Sequence, residues 1–175
     1  MRSATQLIVR SALFLALTVL LPIAFHQFGL AGRFFLPMHL PVLLAGFICG
    51  PVGGFLVGLT APAISFLLTG MPPTYAVPLM SVELPLYGLA AGLTYERLGL
   101  NIYIALVISM IVGRLSFALA LVILGAAIEL PYGPGTYFKA VIITGLPGII
   151  IQLVFIPPIV AALKRRHQAA GFSAS

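Results

Sequence analysis

The sequence is poor in charge. Only 7% of its 175 residues are Asp, Glu, Lys or Arg, and the acidic side amounts to three glutamates. A chain that is 61% hydrophobic cannot cover a water-soluble core of this size with so little polar surface, so a soluble globular fold is excluded. Cysteine is nearly absent too. The single one, Cys49, stands inside an apolar run, which leaves neither a disulfide framework nor a cysteine metal cluster. Enzyme signatures are missing: there is no GxSxG, no HExxH and no GxxxxGK(S/T) loop for nucleotide phosphates. Glu96 and Glu129 fall at opposite membrane edges, so they make no acid-base pair. No cofactor is expected, and any ATP that drives this protein's work must be hydrolysed by another chain.

What is present is apolar. A mean hydropathy of +1.19 reads as an integral membrane protein. The net charge of +6 does not point to nucleic acid, because the nine Lys and Arg mostly flank hydrophobic segments, where they orient membrane helices. The opening MRSATQLIVRSALFLALTVLLPIAF has the basic start and apolar stretch of a signal peptide. No small-x-small cleavage site follows before Phe25, so it is expected to stay as a first helix.

A spanning helix takes about 20 apolar residues to cross about 30 Å of hydrocarbon. Six segments meet or approach that length: Leu7 to Phe25, Phe35 to Gly50, Pro51 to Leu68, Tyr75 to Thr94, Leu100 to Ala127, and Tyr137 to Leu163. Residues 37 to 68 read as one span would be about 48 Å long, which rules that out. Gly50-Pro51 supplies the turn, since glycine suits the position past a helix end and proline the first turn of the next. The expected fold class is an all-α integral membrane protein of six transmembrane helices, with residues 1–166 as one domain and 167–175 as a disordered tail.

Six spans put both termini on one side. Arg2, Arg10, Arg97, Lys164, Arg165 and Arg166 then share a side, against Arg33 and Lys139 on the other, which predicts cytoplasmic termini. The outer connections are HQFGLAGR, TGMPPT and ELPYGPG, rich in Gly, Pro and aromatics, and a ligand would enter there.

Glu83 and Arg114 are the charged side chains well inside these spans, and burying either alone in hydrocarbon is costly. Counting along the helices puts Glu83 about 12 Å and Arg114 about 9 Å from the outer surface, so the two can meet. Met80, Glu83 and Tyr87 share one helix face, and Met110, Arg114 and Phe117 share another. Two readings stay open: an ion pair that holds two helices in register, or a small polar pocket with apolar walls that contacts a ligand.

His39, between Pro37 and Pro41, could bond a ligand or a backbone carbonyl that the prolines free. A metal site there is unexpected, since His26 is the only other nearby nitrogen donor. Tyr75, Tyr132 and Tyr137 fall near the outer boundary, where an interfacial aromatic belt is the simpler reading and stacking on a ligand the other. Gln152 lies too deep for the same pocket and is expected to bond a neighbouring helix. Pairs of small residues four apart, such as Gly46 and Gly50, Gly54 and Gly58, and Gly88 and Gly92, let helix backbones approach closely.

The run FLPMHLPVLLAGFICGP, followed by GLTAPAISFLLTGMPP and SVELPLYGLAAGL, resembles the substrate-binding S components of the energy-coupling factor (ECF) vitamin transporters. The resemblance covers nearly the whole chain. It implies a six-helix bundle in a prokaryotic plasma membrane that holds its ligand near the outer surface. It also implies partners: a small-molecule vitamin, a transmembrane coupling subunit and two ABC-type ATPases. Ala12 and Ala16 match the family's AxxxA motif, which docks on the coupling subunit. Ligand contacts vary within the family, so Glu83, Arg114, Tyr87, His39, Met80, Phe117 and Tyr75 stand as substrate-binding candidates from depth and facing. A buried opposite-charge pair favours a small neutral, zwitterionic or singly charged ligand over a polyanion, and both pyridoxine-like and pantothenate-like molecules fit. The competing readings are a stand-alone facilitator, which would need a polar path through an inner half that offers little beyond Gln152 and Asn101, and a small membrane enzyme using Glu83, His39 and Tyr87.

Overall fold

In hydrocarbon the backbone must satisfy its own hydrogen bonds, and this chain does so with helices. The structure, a computed structural model, describes residues 4–27 and 36–172, with side chains over 4–25 and 36–164. Among the described residues, five helices are long and apolar enough to cross a membrane. They are α1 (Ala4–Gln27), α2 (His39–Thr69), α3 (Ala76–Gly92), α4 (Ile102–Leu124) and α5 (Pro134–Phe172). A π-helical turn, Leu93–Arg97, extends α3. Arg2, Arg33, and the side chains of His26, Arg165, Arg166 and the tail from residue 167 lie outside the described residues.

The expected second and third segments meet in α2, which is broken at Gly50. Its φ of 83° and ψ of −178° are non-helical and disfavoured for an L side chain. The break reverses the chain: a Cβ on Gly54 would lie 2.6 Å from the Cα of Gly46, whereas eight residues of straight helix span about 12 Å. Pro51 then sits where its missing N–H does no harm. The first arm starts later than expected, at His39 rather than Phe35, and is therefore only about 16 Å long. Leu36, at φ 47° and ahead of Pro37, stands outside the helix.

The two arms of α2 form the centre of the bundle and pack most extensively against α3. Glycine makes that contact possible. A Cβ on Gly88 would lie 2.8 Å from the Cα of Gly54, and one on Gly58 would press on the carbonyl carbon of Leu84 at 2.5 Å. Backbone meets backbone here, so no side chain could move aside. Around this seam Val42, Leu43, Phe47, Val57, Tyr87, Leu106, Ile156 and Val160 form a continuous core. The outer surface is apolar as well, with Ile8, Leu13, Leu20, Leu115, Leu119, Val122, Ile150 and Val154 exposed, as suits a protein solvated by lipid.

The ends of the helices are closed locally. Gly70, in the left-handed conformation, terminates α2 with its N–H on the Phe66 carbonyl at 2.8 Å. Asn101 caps α4, its side chain accepting from the Tyr103 N–H at 2.9 Å.

Candidate functional site

One end of the bundle gathers the start of α2, the end of its second arm, the start of α3 and the start of α5. Residues of the loops 71–75 and 131–132 also line it. Between them lies a cavity of about 440 Å³.

Its polar centre is Glu83, seven residues into α3. The Arg114 side chain of α4 donates from Nη1 to Glu83 Oε1 at 3.0 Å. His39, the first residue of α2, brings Nε2 to 3.5 Å from the same oxygen, close enough for attraction when protonated but without hydrogen-bond geometry. The His39 ring stands edge-on to Tyr87 at 5.1 Å. Glu83, His39 and Tyr87 are 2%, 3% and 1% exposed, so this cluster is held away from both lipid and water.

The local sequence explains the positions. Four residues separate Glu83 from Tyr87, so one face of α3 carries both. On α4, Gly113 leaves room for the Tyr87 ring, which a Cβ there would strike, with Cζ at 2.6 Å. On α5, Gly145 does the same for Arg114, whose Nη2 would lie 2.9 Å from an added Cβ.

Several buried polar atoms at this site have no partner: Nδ1 and Nε2 of His39, Nε and Nη2 of Arg114, and Oγ of Ser65. A buried polar group left unpaired costs about 1–3 kcal/mol. Clustering of such groups around one cavity is the mark of a site built to meet a solute. The remaining wall is apolar and aromatic, with Met80, Tyr75, Phe117, Tyr137 and Val141. Tyr75 and Tyr137 meet edge to face at 6.0 Å, and Phe117 lies 6.2 Å from Tyr137.

Six of the seven substrate-binding candidates line the cavity: Glu83, Arg114, His39, Met80, Phe117 and Tyr75. Tyr87 is set behind the wall, against His39 and Gly113. Tyr75, Tyr132 and Tyr137 all line the cavity, a position that a purely interfacial aromatic belt does not require. Gln152 lies outside it, as its depth implied, but its Nε2 is buried without a partner, so the amide nitrogen does not make the expected interhelical bond. Sequence reasoning passed over Ser65, Thr144, and the prolines 72, 73 and 131. Ser65 gave a signal, a hydroxyl within the apolar run APAISFLL. Thr144 gave a misleading one, since its hydroxyl donates to the Ala140 carbonyl at 2.8 Å, as threonines in membrane helices commonly do.

A multi-helix membrane bundle with a polar-centred cavity at one end is the architecture of a solute-handling membrane protein. The family of ECF transporter substrate-specific components matches residues 6–160, most of the chain, and the protein belongs to that family. No curated protein and no solved structure matches the sequence. Membership makes the chain a multi-pass membrane transport subunit, not an enzyme, and implies a small-molecule substrate with ECF coupling and ATPase partners.

Proposed function

We propose that this protein captures a small water-soluble vitamin or vitamin precursor from outside a prokaryotic cell and releases it inside when joined to a coupling subunit and two ATPases. The observation that carries this reading is the cluster of unpartnered buried donors on His39, Arg114 and Ser65 around a cavity of about 440 Å³, a size suited to a small organic molecule. Glu83, Arg114, His39, Met80, Phe117 and Tyr75 contact the ligand, and Tyr87 supports His39 from behind. The pyridoxine-like and pantothenate-like classes both fit the volume and the mixed polar and aromatic wall.

The topology that serves this function has six spans, with the reversal at Gly50 dividing α2, and both termini in the cytoplasm. Arg10, Arg97 and Lys164 near one membrane face, with Lys139 near the other, support this orientation. Ala12 and Ala16 are exposed on α1 in line with Ile8 and Leu20, and this flat stripe supports docking on the coupling subunit.

The test is reconstitution. Liposomes holding this chain with the coupling subunit and ATPases should take up the small molecule that co-purifies with it, and liposomes holding this chain alone should not. Equal uptake by the chain alone would replace the capture reading with that of a facilitator.

A further inference from the structure

The ion pair leaves Arg114 with a defined edge to offer. Its Nη1 is committed to Glu83, and the atoms without partners are Nε and Nη2. These two lie side by side on one edge of the planar guanidinium and point two parallel N–H groups in one direction, a fork that fits two adjacent acceptor atoms. Gly145 keeps the space beside Nη2 clear of a side chain. His39 and Ser65, 3% and 1% exposed and without hydrogen-bond partners, add further hydrogen-bonding atoms around the same cavity.

Charge balance restricts what the fork can hold. Among the described residues lining the cavity the charged ones are Glu83 and Arg114. Lys139 is not part of the wall. Glu83 therefore already neutralises Arg114, and among the described residues no second fixed cation lines the cavity. An anionic ligand on the fork would set a second negative charge close to Glu83 in a poorly screened site, and a cationic one would face the guanidinium. The aromatic wall of Tyr75, Phe117 and Tyr137 favours a flat ring.

We infer that the cavity takes an uncharged, planar heteroaromatic ligand with two adjacent acceptor atoms on one edge, received by Nε–H and Nη2–H of Arg114. This rests on the capture reading above and narrows it, favouring the pyridoxine-like class over the anionic pantothenate-like one.

The experiment begins with mass spectrometry of the molecule released on denaturing the full chain purified in detergent. An uncharged heteroaromatic with paired acceptors is expected. A carboxylate, a phosphate ester or an ammonium compound would overturn the inference and leave the capture reading standing. Two matched probe pairs, pyridoxine with pyridoxate and nicotinamide with nicotinate, are then titrated into ligand-free protein. The uncharged member should bind more tightly in each pair that binds, and preference for the anion would overturn the inference. Arg114→Lys keeps the charge and loses the fork, and should weaken the uncharged ligand by about ten- to a hundredfold with an unchanged melting temperature. Glu83→Gln removes the neutralising charge and should move the ratio of affinities toward the anionic member by about tenfold. An unmoved ratio would overturn the charge argument. If nothing is released and no probe binds, the capture reading itself falls, and this inference with it.

Discussion

Arg114 on α4 and Glu83 on α3 are joined through one nitrogen and one oxygen at 3.0 Å, while the other two guanidinium nitrogens stay buried and unpaired. A pair that served only to hold two helices in register would not require that arrangement.

Arg114→Ala strands the Glu83 carboxylate in a buried site and should destabilise the protein by about 3–5 kcal/mol. Replacing both partners, as Glu83→Leu with Arg114→Met, should recover most of that stability because no uncompensated charge remains. Ligand binding should stay lost in the double variant. Thermal melts in detergent alongside binding isotherms check both halves, and a double variant that binds normally would reduce the pair to a structural device.

Ser65→Ala removes a buried hydroxyl oxygen that has no partner in the fold. Stability should be unchanged or slightly higher, while ligand affinity should fall by a factor of about 2–10, the worth of one neutral hydrogen bond. An affinity equal to wild type would make Ser65 a piece of wall and nothing more.

Gly113→Val drives a side chain into the ring of Tyr87, which is 1% exposed and cannot withdraw. Overpacking of this kind costs about 1–3 kcal/mol. Because Tyr87 supports His39, binding should weaken as well, so both the melting temperature and the affinity should drop. A variant stable but unable to bind would also be informative, as it would show Tyr87 displaced without loss of the core.

Gly88→Val should prevent folding altogether, since its Cβ would meet the backbone of Gly54. Gly133→Ala, where an added Cβ has nothing within 4 Å, should be silent. Yield and monodispersity on size exclusion in detergent distinguish the two, and a well-folded Gly88→Val would show that the α2 and α3 backbones can part without harm.

Ala12→Leu with Ala16→Leu enlarges an exposed stripe of α1 remote from the cavity. Ligand binding by the isolated protein should be unaffected, while uptake with the coupling subunit and ATPases should be abolished. Normal uptake would place the docking surface elsewhere.

Much was determined by the sequence alone, and for a physical reason. Low charge and long apolar runs leave lipid as the only suitable solvent, and in lipid the backbone has little choice but helix. Membrane thickness then acts as a ruler, so counting residues was enough to bring Glu83 and Arg114 to similar depth. The glycine pairs and the turn at Gly50-Pro51 were legible too, because no other residues permit such close approach or that backbone angle. The tertiary structure alone decided which lateral neighbours meet. Depth fixes height along the membrane normal but says nothing of rotation about each helix axis. That is why Tyr87 is found behind the wall, why Ser65 joins a cavity centred on a different helix, and why Gly113 and Gly145 matter. Rotation also decided that Arg114 gives one nitrogen to Glu83 and leaves Nε and Nη2 without hydrogen-bond partners.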